Sequence, residues 1–134
     1  MWWNRYVGIP FEWDGHSLNG ASCWGLVWLV QKEVFNRVLP LHHDMETVVR
    51  NGEHMDASPY FAHGIPVDVK DAVQGDVVHM WAMSSSGKKP THCGVIAGDG
   101  YVLHTSEKTG SIMQPYNKEP VSRRLLGVYR IVED

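Results

Sequence analysis

Residues 22–37 read SCWGLVWLVQKEVFNR and predict the clearest helix of the chain. Ser22 is a suitable N-cap, and apolar residues then recur at steps of three and four, the spacing that places side chains on one helix face. These residues are Leu26, Val27, Val30, Val34 and Phe35. Leu39-Pro40 ends the pattern, so we expect an amphipathic helix over about 22–37.

The chain on either side of this helix differs in character. Residues 1–21 mix Trp and Phe with Gly and Pro, which predicts an ordered but irregular segment. A weaker helix over about 44–51 and a loop-like stretch over 53–75 follow. Strands are then predicted at 76–81, 92–97, 101–104, 111–114 and 126–132, with a loop at 84–90 and a hairpin turn at 98–100. A helix followed by consecutive antiparallel strands predicts one α+β domain over residues 1–134.

Cys23 lies in the first turn of the predicted helix. A cysteine attacks as thiolate, and the unpaired N–H groups and positive dipole end of a helix N-terminus favour that anion. The alternative is a small buried residue, because free cysteines are commonly buried. We interpret Cys23 as a candidate nucleophile.

A nucleophilic cysteine needs a base, and the eight histidines make context decisive. His92 begins a strand rich in β-branched residues, a rigid element that can hold an imidazole against a helix tip. Strand alternation sends His92 and Cys93 to opposite faces, so only one of them is expected to face the helix. Cys93 is then predicted to lie in the core.

Four stretches of the chain follow one another in a known pattern. They are Gly8-Ile9-Pro10-Phe11 with Gly15, Cys23-Trp24-Gly25-Leu26-Val27, Gly75-Asp76-Val77-Val78, and residues 92–104, which read HCGVIAGDGYVLH. In this order they resemble the NlpC family of papain-like cell-wall peptidases, over residues 6–105. The resemblance implies a papain-like α+β fold, in which the helix that carries the nucleophile packs on an antiparallel β-sheet or half-barrel.

By position, the resemblance implies Cys23 as nucleophile, His92 as base and His104 as the third polar residue that orients the imidazole. It implies cysteine-dependent hydrolysis of peptide amide bonds through a thioester, with the backbone N–H of Cys23 as oxyanion donor. The implied substrates are peptidoglycan stem peptides, commonly cut between D-glutamate and a diamino acid. No cofactor is expected.

The chain departs from the family pattern near the expected cleft. Phe11 stands where members often carry a tyrosine whose hydroxyl assists at the oxyanion. Ser22 and Trp24 replace the more usual Asp and Ser, which puts the bulk of Trp24 close to the cleft. Phe11, Trp13 and Trp24 are the expected substrate-binding residues, with packing in the core as the alternative for the tryptophans.

The register of His104 against His92 stays open in the sequence. A two-residue turn at 99–100 pairs His104 with Val95, about 10 Å along the strand from His92. A loop centred on Gly98 pairs the two histidines directly. A strand histidine without a catalytic task is the alternative for His104.

Histidines and cysteines could also form a zinc site. The spacing argues against zinc, because the chain has no H-E-x-x-H and no C-x-x-C motif, and the adjacent His92 and Cys93 cannot easily share one ion. We therefore expect no metal. The histidines at 42, 43, 54 and 63 are interpreted as loop residues exposed to water.

Composition and charge exclude further classes of function. A formal charge of -3, with Lys and Arg in runs no longer than pairs, gives no basic field for nucleic acid. No apolar run approaches the ~20 residues that span a bilayer, and the first residues do not form a signal peptide. We expect a protein made in the cytoplasm without a signal peptide, with neither nucleic acid nor membrane as partner.

Two functions follow from these observations. The first is a peptidoglycan peptidase or amidase that a phage tail, a lysis system or a secretion apparatus delivers to the cell wall. The second is a catalytically weak or inactive phage tail structural or assembly subunit with the same fold, which the substitution at Phe11 favours. Contact between Cys23 and His92 beside an open cleft distinguishes the first from the second.

Overall fold

The structure, a computed structural model, describes residues 1–41, 64–84, 87–98 and 100–132. Its main helix is α1 (Cys23–Phe35), and a short helix, α2 (Val121–Arg124), precedes the last strand. The strands are β1 (His16–Ser17), β2 (Gly20–Ala21), β3 (Gly64–Val67), β4 (Val77–Ser84), β5 (Gly87–Ile96), β6 (Tyr101–Ser106), β7 (Gly110–Pro115) and β8 (Leu125–Ile131). The helix predicted over 44–51 and the four loop histidines lie outside the described residues.

Helix α1 begins and ends where its sequence provides caps. The Ser22 hydroxyl accepts a hydrogen bond from the backbone N–H of Gly25 (3.0 Å), which satisfies a donor that the first turn leaves unpaired. Asn36 adopts the left-handed conformation (φ 56°) and closes the last turn with a bond to the Gln31 carbonyl oxygen. The predicted helix is therefore confirmed, with Cys23 as its first residue.

Six of the strands form one antiparallel sheet in the order β3-β8-β4-β5-β6-β7, while β1 and β2 form a separate hairpin before α1. The predicted α+β arrangement is confirmed. The loop predicted over 84–90 is wrong at 84 and 87–90, because β4 continues to Ser84 and β5 starts at Gly87; residues 85–86 lie outside the described residues. The loop predicted over 53–75 is also wrong in part, since Gly64–Val67 pairs with β8 at the sheet edge.

Alternating side chains of the sheet supply two apolar cores. Val77, Cys93, Val95 and Leu103 pack with α1 on one face. On the other face, Val78, Met80, Ile96 and Val102 pack with Val121 of α2 and Val128 of β8. The odd and even positions separate cleanly because successive strand residues point to opposite faces. Within the described ranges, no helix combines the length and the apolar character required to cross a membrane.

The Gly75-Asp76 block connects the helix to the sheet. The carbonyl oxygen of Gly75 accepts a hydrogen bond from the buried Gln31 side chain of α1 (2.7 Å). The buried Asp76 carboxylate accepts from Arg130 of β8 at both oxygens, at 3.2 Å each, and from the Val73 backbone N–H (2.9 Å). These bonds fix where β4 begins, and therefore where β5 lies under the start of α1.

Candidate active site

Cys23 lies at the start of α1, on the wall of a cleft of about 530 Å³. The residue is 7% exposed, and residues of β5, β6 and β7 line the same cleft. The N-terminal turn of a helix presents unpaired N–H groups and a positive dipole end to this position. The local environment therefore favours the thiolate form of Cys23.

Two adjacent residues of β5 contact the sulfur of Cys23. A hydrogen bond from the Cys93 side chain contributes most to a pKa of Cys23 well below the ordinary thiol value. Burial opposes this effect, whereas a hydrogen bond from His92 and the positive charge of its ring lower the pKa further. A thiolate that accepts two hydrogen bonds is stabilised relative to the thiol, which is the state that a nucleophile needs.

His92 continues into a chain of side-chain hydrogen bonds. The Nε2 atom of His92 lies 2.9 Å from Nδ1 of His104, and Nε2 of His104 lies 2.6 Å from Oε1 of Gln114. Burial, followed by the charge of His92, lowers the pKa of His104 to about 3, so the His104 ring is neutral at physiological pH. Its single N–H faces the Gln114 oxygen, which can only accept, and its Nδ1 then accepts from His92. Because Nε2 of His92 is bonded to His104, Nδ1 is the ring nitrogen of His92 that can donate to the sulfur of Cys23.

The register of β5 and β6 differs from both arrangements predicted for His104. Val95 pairs with Leu103 and Ile96 pairs with Val102, so the two histidines are diagonal neighbours on one face. Gly94 makes room for this diagonal, because a Cβ atom at residue 94 would lie 3.0 Å from Cβ of His104 and 2.9 Å from the Leu103 carbonyl oxygen. His92 and His104 meet because the residue between them on this face lacks a side chain.

Of the three aromatic residues predicted to bind substrate, Phe11 and Trp13 line the cleft and Trp24 does not. Phe11 and Trp13 are half-buried on the cleft wall, with their rings in edge-to-face contact at 4.8 Å between centroids. Trp24 is 2% exposed and lies in the core, where its indole N–H donates to the Pro40 carbonyl oxygen (2.7 Å). The side chain of a first-turn residue points back onto the body of the protein here, so Trp24 does not line the cleft.

Sequence reasoning missed three residues of this site. Cys93 lies in the core as predicted, yet it also contacts Cys23, because α1 packs over β5 and its first residue reaches both neighbours on that strand. Gln114 lies in a predicted strand and its polarity among apolar neighbours is the only signal of its role. Arg124 lines the cleft from α2, and its pattern in sequence is that of an ordinary surface pair with Arg123.

Within the described residues, no group of three or more His, Cys, Asp or Glu side chains is arranged to hold a metal ion. His79 is buried in β4 and makes contacts of its own. The other candidate histidines at 42, 43, 54 and 63 lie outside these residues.

Comparison with known proteins gives a family and a fold. A family model described as the NlpC/P60 family matches residues 8–130. No curated protein matches the chain in sequence. Several solved structures do match in fold and cover nearly all of this chain.

The NlpC/P60 domain of the peptidoglycan hydrolase SagA has 19% sequence identity and a TM-score of 0.65, with 96% of this chain and 92% of that chain covered. The P60 domain of an antigen from M. avium subspecies paratuberculosis has 18% identity and a TM-score of 0.62, with 98% and 90% covered. A lipoprotein-like NLP/P60 protein from Staphylococcus aureus has 18% identity and a TM-score of 0.68. There, 97% of this chain corresponds to 39% of the longer protein. At these identities the matches show a shared papain-like fold.

Proposed function

Because the chain belongs to the NlpC/P60 family, we propose that it is a cysteine peptidase or amidase that hydrolyses peptide amide bonds of peptidoglycan stem peptides. The observation that carries this proposal is the contact of Cys23 with His92 on the wall of an open cleft. A nucleophile, a base and a group that orients the base form the arrangement of cysteine hydrolases. The peptidoglycan hydrolase SagA, which has the same fold, supports the choice of substrate class.

The first chemical step is attack of the Cys23 thiolate on a peptide carbonyl carbon. Negative charge then develops on the carbonyl oxygen, and the backbone N–H of Cys23 at the N-terminus of α1 is a suitable donor to it. Phe11 carries no hydroxyl that could donate to this oxyanion. In the proposed mechanism, the N-terminus of α1 therefore stabilises the oxyanion without help from residue 11. We expect this to reduce the rate rather than to change the reaction.

Proton transfer completes the cycle. His92 gives its proton to the leaving amine, and the amine product departs while the acyl group remains on Cys23 as a thioester. Water, with its proton taken by His92, then attacks the thioester carbonyl, the acyl group leaves as a carboxylic acid, and the Cys23 thiolate is restored beside protonated His92. The neutral His104 holds Nε2–H of His92 through its Nδ1, so the ring of His92 keeps one orientation in both steps.

A phage tail structural or assembly subunit is the second candidate, and the observation in its favour is Phe11 on the cleft wall. Two observations favour the peptidase instead. Cys23 lines a cleft and is not covered by Trp24, and its contact with His92 is already formed without substrate. In either case, a phage tail or secretion apparatus remains our proposal for delivery to the wall.

Incubation of the purified protein with muropeptides from several wall types tests the proposed function. The wild type should release new amines and carboxylates, which mass spectrometry detects. Cys23→Ala should reduce the rate of release by at least about a thousandfold, because the attacking sulfur atom is removed. Thermal unfolding of both proteins checks that Cys23→Ala folds. Equal products from both proteins, or no product from the wild type on any wall type, would exclude the peptidase.

A further inference from the structure

Arg124 is held in the wall of the cleft by a bond to the sheet. Its Nε atom donates to the backbone carbonyl oxygen of Trp81 (2.8 Å). Trp81 lies where β4 shifts register against β5, between Met80 and Ala82. Such a bulge releases a backbone group from the ladder and is common next to active sites. The bond fixes the Arg124 guanidinium beside the cleft that Cys23 and His92 line.

The charge of Arg124 is not neutralised by its surroundings. Among the residues that the structure describes, no carboxylate lies within ion-pair distance of Arg124, and its Nη atoms have no acceptor there. Burial lowers the pKa of Arg124, as expected for a cation that is partly removed from water without a partner. The charge also adds to the lowering of the pKa of His104, after burial and His92.

The other arginines of this region contrast with Arg124. Arg123 is an exposed residue that pairs with Glu119 four positions earlier at 2.6 Å. Arg130 pairs with the buried Asp76 at 3.2 Å. A half-buried, unpaired guanidinium is unfavourable for folding alone. A charge kept in this state beside a catalytic cleft is explained if a ligand supplies the missing anion.

We propose that Arg124 is a specificity-determining residue that binds a carboxylate of the substrate through its two Nη groups. This inference rests on the proposed function. A guanidinium presents a planar fork that matches a carboxylate with two parallel hydrogen bonds, and the bond from Nε to Trp81 leaves the Nη edge for the substrate. The substrate class is a peptide with a free carboxylate close to the scissile amide, in preference to the same peptide with a carboxamide at that position.

A paired substrate assay tests the choice between these peptides. Each stem peptide is offered in two forms, with a carboxylate or a carboxamide next to the scissile bond. The wild type should prefer the carboxylate, and Arg124→Gln should reduce kcat/KM for that form by roughly tenfold to a hundredfold while changing the carboxamide form by less than about threefold. Arg123→Gln is the matched control and should keep the preference. Equal losses on both forms would overturn the proposal.

Alkylation of Cys23 gives a second readout that needs no hydrolysis. Iodoacetate carries a carboxylate next to the reacting carbon, and iodoacetamide carries an uncharged carboxamide of similar size. Peptide mapping separates the modification of Cys23 from that of Cys93. The ratio of the iodoacetate rate to the iodoacetamide rate should fall by roughly fivefold or more in Arg124→Gln and stay unchanged in Arg123→Gln. An unchanged ratio in Arg124→Gln would overturn the carboxylate site.

These two assays separate the failure of this inference from the failure of the proposed function. A wild type that cuts no muropeptide contradicts the peptidase, while the alkylation ratio still decides whether Arg124 attracts a carboxylate. If Arg124→Gln does not fold, a protection assay with the wild type alone tests whether the cleft binds a carboxylate. N-acetylglutamate should then protect Cys23 from iodoacetamide at a concentration at least about fivefold lower than its uncharged diamide does, and equal protection would overturn the proposal.

Discussion

The proposed nucleophile, Cys23, contacts a neighbour that takes no part in the proposed bond-breaking steps. Cys93 follows His92 directly on β5, and both side chains donate hydrogen bonds to the sulfur of Cys23. A donor to the thiolate favours the charged form, so its removal raises the pKa of Cys23. We therefore expect Cys93 to act as a positioning residue that increases the fraction of Cys23 thiolate at neutral pH.

Replacement of Cys93 by alanine should move the alkylation profile of Cys23 toward higher pH. The expected shift of the midpoint is roughly one pH unit, since a hydrogen bond to a charged group typically contributes about 1.5–3 kcal/mol and part of it is recovered by other donors. The measurement is the rate of alkylation of Cys23 by iodoacetamide between pH 4 and pH 10. This range of pH includes the pKa of an unperturbed thiol, about 8.5.

Cys93→Ser is the matched control for this measurement. Its hydroxyl keeps a donor at nearly the same place, so its midpoint should lie closer to the wild type than that of Cys93→Ala. Identical midpoints for Cys93→Ala and the wild type would contradict the role given to Cys93. A shift of equal size in both variants would point to packing rather than to hydrogen bonding.

Single residues of the site were predictable to different degrees. Cys23 was predictable because a helix start is a local property, and its cap and apolar spacing are visible in the chain. The contact of Cys93 with Cys23 was not, since it depends on where α1 crosses β5. The burial of Trp24 was also hidden, because it depends on the Pro40 carbonyl oxygen that receives its indole N–H.

At the scale of elements, the hairpin of β5 and β6 determines whether the histidines meet. Its register places His92 and His104 on one face with Gly94 between them. The shape of this turn could not be chosen from the sequence, because turns of two or three residues fit the same glycines equally well. A change of one residue in the register would move His104 to the opposite face.

Gly94→Ala tests this dependence on register. The added Cβ would lie within 3.0 Å of Val102, Leu103 and His104, two of these contacts being with groups that cannot move away freely. We expect a loss of about 1–3 kcal/mol in the free energy of unfolding. The displacement of His104 should reduce kcat/KM of the folded protein at least about tenfold.

Gly127→Ala is the control for Gly94→Ala in the same sheet. The atoms nearest to its Cβ would all belong to the Tyr129 side chain, the first at 3.2 Å, and a side chain can rotate away. Chemical denaturation gives the stability of each variant, and activity per folded molecule gives the catalytic effect. Equal activity in Gly94→Ala and Gly127→Ala would show that the spacing of His92 and His104 does not limit the reaction.

The lengths of the strands were less predictable than their positions. The alternation that identified 76–81 and 92–97 stops at Trp81, although the backbone ladder of β4 and β5 continues to Ser84 and Gly87. Hydrogen bonds between backbones need no apolar pattern, so they extend strands past the point where the sequence indicates a loop. The bulge at Trp81 belongs to this unpredicted part, and it is the place where Arg124 attaches.

At the scale of the molecule, the sheet separates two cores with different tasks. The core against α1 determines where Cys23 lies relative to β5, because Leu103 and Val95 pack with Leu26, Val27 and Val30 of the helix. The core on the other face joins α2 and β8 to the sheet and, in the part of the chain that the structure describes, contains no residue of α1. Stability should depend on both cores, whereas the position of Cys23 should depend mainly on the first.

Neighbouring residues of β6 allow this division to be tested within one strand. Leu103 and Val102 are both 0% exposed and point to opposite faces. Leu103→Ala should destabilise the protein by about 2–5 kcal/mol. Val102→Ala should destabilise it by less, because valine is smaller than leucine and its removal leaves a smaller cavity. Only Leu103→Ala leaves a cavity under the helix that carries Cys23, so it should lower kcat/KM per folded molecule by about fivefold or more, and by more than Val102→Ala does. Urea unfolding and muropeptide kinetics at a temperature where both variants are folded provide the two measurements. A larger catalytic loss in Val102→Ala would contradict the division, because the face away from α1 would then determine the position of the nucleophile.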